Sequence, residues 1–452
     1  MNARWAGLGV CLLLAVAWMS LNTSGCDPCS SCSTTTTHHS PTVTPTSTPT
    51  PAPNACLPSS SIGILVQSTN ATAYLPQGTW DTPPGTGSVN VVPVETSSGI
   101  GTGGAPVAIT TGHVPNSCSS NSETGTTVCA GNNTDVYLIN GTTLTSTLTS
   151  GATGSESFSG GECANCGVVV DSTTNKALLT LGLSTGGPGG YQFLDLGGTP
   201  TFETAIPAGA ETSENASIDP VRHLVLSPNE QETYQILNVS TATAALFNNN
   251  LSGTDQGGTF DSAAEDCTTG IALSTDEFTG DLYIADLTQA VFTPGTDGMP
   301  GTWTDTGSQL VNFPEFDDIS AGTCGIAVAP GTHLGVVTGE FGGNLEGVFE
   351  LPSTSGSGVP AFPDYAAFTV PAPPTEEEWD QGNDPHTVTA YVSPNSKKAY
   401  AVLENGDFTY LAVIDIQAML SAPRTGAHTV TSPIPAGIVT FICAVPTGCG
   451  GG

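Results

Sequence analysis

Residues 388–416, VTAYVSPNSKKAYAVLENGDFTYLAVIDI, read as three short strands joined by two tight turns, and weaker copies recur along most of the chain. Val388–Val392, Ala399–Glu404 and Tyr410–Ile416 are the strands of this copy, Ser393–Lys398 is a polar turn, and Asn405-Gly406 is a hairpin turn. Asn-Gly between apolar runs is a strong hairpin signal because both residues tolerate positive φ. Three or four antiparallel strands of this length cannot bury both faces of their sheet alone. Stacking the units around an axis buries those faces, which is the physical case for a β-propeller.

Seven stretches begin such units: Ile62–Val66, Val107–Thr110, Gly167–Val170, Ala216–Ile218, Gly270–Leu273, Gly325–Val328 and Val388–Val392. Their spacing, about 45–65 residues, suits a four-stranded blade with loops of varying length. The fold class is therefore all-β, a propeller of about seven four-stranded blades, with six or eight also compatible. Ile438–Val445 is either a ring-closing strand or the start of an eighth unit, and the stretches 294–305 and 353–380 read as inserted loops. Several units end on an apolar pair and a side-chain acceptor, as in Asn140, Asp195, Asn238, Glu350 and Asp415. An Asx residue there can satisfy the backbone of the next turn, which is a structural role. Beyond the N-terminus no stretch carries a 3.6-residue apolar period, and 55 Gly and 34 Pro fit a chain made mostly of turns and strands.

The motif HTVTAYVSPNSKKAYAVLENGDFTYLAVIDI resembles a repeat of the YVTN-type β-propellers, whose usual pattern is GIAVSPDGKRLYVAN…VIDL. The resemblance implies a propeller. Some propellers with this repeat are lactone hydrolases that work with a cation at the mouth of the central channel.

The domain plan has three parts. Residues 1–25 form a signal peptide, with Arg4 before an apolar run from Trp5 to Leu21, and they end in a lipobox-like Thr23-Ser24-Gly25-Cys26 that marks Cys26 for lipidation; ordinary secretion is the alternative. Residues 26–54 form a Thr/Pro-rich disordered tether that cannot build a core. Residues 55–452 form the propeller. The expected location is the cell envelope, with a lipid anchor facing the periplasm or the exterior, and membrane contact only through that lipid.

Six Lys and Arg stand against 40 Asp and Glu, a formal charge of −34. Such a polyanion repels nucleic acid and anionic lipid surfaces. Thirteen cysteines in an exported chain point to disulfides. Proximity suggests the pairs Cys118–Cys129 and Cys443–Cys449. Cys267 with Cys324 would staple neighbouring units, and the C-x-x-C pair Cys163–Cys166 reads as a structural disulfide because Cys166 runs straight into a strand. With Cys11 lost and Cys26 lipidated, an odd number remains.

Counting back from the strand starts, acids recur where the rim of the central channel is expected: Glu162, Glu211 or Glu214, Glu265 with Asp266, Asp317-Asp318, and Asp384 with His386. Converging carboxylates raise one another's pKa unless a cation sits among them, and their hard oxygens suit Ca²⁺ or another divalent cation. One reading makes Glu162, Glu265, Asp266 and Asp384 metal ligands and His386 a general base, in a lactonase-like hydrolase. No G-x-S-x-G elbow, P-loop or dinucleotide fingerprint is present. The leading expectation is a non-catalytic binding scaffold whose partner is an envelope or extracellular protein, peptide or glycan.

Overall fold

A computed structural model of the chain describes most of residues 63–443; the longer stretches outside it are 78–84, 151–164, 182–189, 209–215, 251–259, 305–308, 316–322, 352–361, 372–389 and 404–409. The signal peptide, tether, Glu162, Cys163, Glu211, Glu214, Asp317, Asp318, Asp384, His386 and Cys449 all fall outside the described residues.

The described chain forms seven antiparallel sheets in chain order: blade 1 over 63–108, blade 2 over 115–149, blade 3 over 165–207, blade 4 over 217–250, blade 5 over 260–312, blade 6 over 323–369 and blade 7 over 390–443. Each of the seven hydrophobic clusters joins two consecutive blades. The seventh joins Tyr391, Tyr400, Leu411 and Val413 of blade 7 to Ile64, Ala73, Leu75 and Val92 of blade 1, which closes the ring. Because every blade is covered on both faces, its middle strands are buried continuously, as in Ile271–Asp276 and Asp281–Asp286. An outer strand such as Thr143–Thr149 alternates exposed and half-buried residues.

Among the described residues the ring closes through side chains, with no strand shared across the seam. Val439–Cys443 pairs with Tyr410–Asp415 as the fourth strand of blade 7, so it is neither a strand shared with blade 1 nor the start of an eighth unit. At the seam Glu95 of blade 1 accepts hydrogen bonds from Ser396 Oγ (2.5 Å) and Tyr400 Oη (3.0 Å) of blade 7.

Two inner strands lie elsewhere than the apolar runs indicate. Blade 2 begins at Pro115–Asn121, and residues 105–108 are an outer strand of blade 1. Blade 5 begins at Phe260–Asp266, and Ile271–Asp276 is its second strand. Both true inner strands, PNSCSSN and FDSAAED, are broken by polar residues, and in blade 2 the reason is the open edge that an inner strand carries. Its outward N–H groups need acceptors. Ser117 and Ser119 of blade 2 take the N–H groups of Val168 and Val170 in blade 3, and Ser122 takes that of Val66 in blade 1.

A second correction concerns 294–305. Gly301–Thr304 pairs with Val291–Thr293 as a hairpin that leaves blade 5 and lies parallel against Ala245–Asn250, the outer strand of blade 4. Blade 7 sends a matching hairpin, Arg424–Thr425 with Thr429–Val430, onto Asp364–Thr369 of blade 6. Arg424 anchors it through 2.8 and 2.9 Å bonds to the two carboxylate oxygens of Asp364.

Candidate functional site

The described part of the expected cation set is Glu265 and Asp266, and they close the inner strand of blade 5 instead of preceding it. They stand at the turn end of that strand, about 20 Å from its beginning at the usual rise per residue. Asp266 is fully buried, and its bonds run to its own turn and to blade 6. Oδ1 accepts from Thr268 N at 3.0 Å and from Thr268 Oγ1, and Oδ2 lies 2.6 Å from His333 Nδ1. Glu265 is buried as well. Among the described residues no three His, Cys, Asp or Glu side chains come together as a cation site would require.

The Asp266–His333 contact belongs to a pattern that recurs around most of the ring. Six blades join their first two strands through a turn whose fifth residue is left-handed: Gly125, Asn175, His223, Gly270, His333 and Lys397, with φ between 55° and 80°. In five of these turns the first residue, Asn121, Asp171, Asp219, Asp266 or Ser393, accepts the turn's N–H groups. Three of these turns also reach the next blade through the first residue or a partner that it holds, the Asp266–His333 contact being one. Asn121 Nδ2 donates to Asn175 Oδ1 at 2.7 Å, and Arg222, held by Asp219, donates to the Cys267 carbonyl at 3.0 Å. The acids of these turns hold blades in register.

Cys118 and Cys129 are disulfide-bonded and stand opposite each other on the first two strands of blade 2. Cys267 and Cys443 are also disulfide-bonded. Their expected partners, the Cys324 side chain and Cys449, lie outside the described residues, as does the Cys163–Cys166 pairing.

A cleft of about 730 Å³ opens between blades 1 and 2, on the side where the first two strands of blade 2 turn. Its floor is Leu65, Tyr74 and Val91, which pack with the Cys118–Cys129 pair in one cluster. Burial pushes the Tyr74 hydroxyl pKa up, partly offset by its bond to Thr127 of blade 2. The strand approach is close here: a Cβ on Gly63 would stand 2.9 Å from Thr127 Cγ2. Gln67, Thr72, Thr124, Asn140 and Thr142 rim the cleft, and among the described residues no Asp, Glu, His, Lys, Arg or Cys lines it. Sequence reasoning missed this site, because its residues come from strands and turns of two blades and none carries a chemical signature.

The sequence matches no protein-family model and no curated protein. Among solved structures the chain is similar to two named as putative 6-phosphogluconolactonases. One, from Bacteroides uniformis, is 12% identical with a TM-score of 0.51, over 82% of this chain and 99% of that one. The other, from Bacteroides fragilis, is 12% identical with a TM-score of 0.49, over 78% of this chain and 94% of that one. At this identity the likeness is one of fold: the chain has the seven-bladed propeller architecture.

Proposed function

We propose that this protein is an exported propeller, lipid-anchored at Cys26 and held off the membrane by its Thr/Pro-rich stalk, that works as a binding scaffold for an envelope or extracellular partner. The observation that carries the reading is the cleft between blades 1 and 2. It offers hydrogen bonds over an apolar floor, yet among its described residues it holds no acid, base or thiol to move a proton or attack a substrate. Asp266, where a hydrolytic cation would want a free carboxylate, spends both oxygens on Thr268 and His333.

The second reading is a hydrolase of lactone or ester type with a divalent cation. Likeness of fold to the two lactonase-named propellers favours it, and it rests on Glu162, Asp384 and His386. One experiment separates the two: the full chain is assayed against a panel of lactones and esters, with Ca²⁺ and after chelation. A scaffold gives no turnover above buffer in either condition. Cation-dependent turnover that disappears in Asp384→Asn with His386→Ala would establish the hydrolase instead.

A further inference from the structure

We infer that the cleft between blades 1 and 2 binds an uncharged saccharide; this rests on the binding-scaffold reading and supplies its ligand class. Charge decides first. An anion would meet no Lys, Arg or His in the lining and the repulsion of a chain with formal charge −34. A cation would find no carboxylate there. The ligand is therefore neutral.

Polarity decides next. Within the described residues the side chains of Gln67, Thr72, Asn140 and Thr142 make no hydrogen bond, so two amides and two hydroxyls face the cleft with donors and acceptors to spare. A purely lipophilic ligand would strip water from these groups and leave them unsatisfied, at about 1–3 kcal/mol each. Facing them are the apolar surfaces of Leu65, Val91 and Pro93. A sugar ring carries hydroxyls at its edge and C–H groups on its faces, which matches both sides of such a cleft. The volume lies within the range usual for small-molecule sites, about 300–1,000 Å³.

A peptide fits less well. Strand addition needs a free edge, and the outer edge of Ser88–Thr96 is already paired with Gly99–Ile100 at one end and Ala105–Ala108 at the other. Between them Pro93 has no N–H to offer, and the Val94 carbonyl accepts from Gly101 N.

The test is calorimetric titration of the full chain with neutral trisaccharides (maltotriose, cellotriose, triacetylchitotriose), trigalacturonate, a chitosan trimer and an uncharged Ser/Gly hexapeptide. At least one neutral trisaccharide should bind saturably. Asn140→Leu should weaken that binding about tenfold, the loss of one or two hydrogen bonds. Thr124→Trp should abolish it by filling the mouth. Both positions are exposed, so the melting temperature should stay put; Gln67→Leu, exposed on the opposite wall, is a third variant should either misfold. The inference is overturned if no neutral trisaccharide binds at millimolar concentration, if binding ignores all three substitutions, or if a charged sugar or the peptide is preferred. Binding of any of those other ligands would leave the scaffold reading standing, whereas turnover of a lactone or ester would remove the scaffold reading itself.

Discussion

Glu346 shows how much one side chain can tell about the interior. It lies in the third strand of blade 6, is almost fully buried, and its Oε2 has no hydrogen-bond partner. Burial disfavours the charged form and pushes its pKa well above the ordinary 4.5. The folded protein therefore holds a proton that the unfolded chain releases. Stability from this group is full below about pH 4.5 and is lost as pH rises through the folded value. Glu346→Gln should flatten that decline and raise stability at neutral pH by on the order of 1 kcal/mol, read from thermal melts between pH 4 and 8. Asp266 is the opposite case, a buried carboxylate with its partners in place. Asp266→Ala should cost about 3 kcal/mol in urea unfolding, because it removes a turn cap and a contact between blades together.

At the scale of elements, the left-handed turn position separates residues that suffer there from residues that belong. Lys397 holds φ 57° with a side chain that gains nothing from it, so Lys397→Gly should stabilise blade 7 by about 1 kcal/mol, seen as a raised urea midpoint. Gly270 sits at φ 80° with the Arg222 guanidinium 2.7 Å from where a Cβ would stand. Gly270→Ala should therefore destabilise, through both strain and displaced packing. The blade 7 hairpin on blade 6 gives a pH test. The hydrogen bond from Arg424 is the main cause of a lowered Asp364 pKa, so the pair stabilises above the unfolded value of 3.8 and is lost as pH falls through the folded one. Asp364 is more than a third exposed, so Arg424→Gln should cost less than about 1 kcal/mol at pH 7. The difference from the parent should vanish near pH 2 in paired denaturation curves.

For the whole molecule, the weakest junction to expect is the one between blades 7 and 1, which no shared strand secures among the described residues. Tyr400→Phe removes one of the two bonds that reach Glu95 across it and should cost about 1–2 kcal/mol. Hydrogen exchange should quicken first in the inner strands of blades 1 and 7 and least in blade 4, on the far side of the ring. Uniform quickening around the ring would mean that the seam is no weaker than the other interfaces.

Much of this was legible beforehand, and the exceptions share causes. Middle strands such as Lys398–Leu403 and Tyr410–Asp415 announce themselves because burial on both faces demands unbroken apolar runs. The inner strands PNSCSSN and FDSAAED do not, since polar residues interrupt them, and the blade 2 serines answer the open edge of blade 3, a demand that exists only once the ring has formed. Assigning Gly270–Leu273 as an inner strand moved Glu265 and Asp266 to the wrong end of it; Glu162, Asp384 and His386 lie outside the described residues. The sequence by itself determined the repeat, the all-β class and a count of about seven units, because local pairing and the need to bury two faces act within each unit. Tertiary structure alone decided which carboxylates hold blades together, how the ring closes, and that an uncharged cleft opens between blades 1 and 2. Those depend on which turns of different blades meet, and side chains more than fifty residues apart carry no mark of one another in the linear chain.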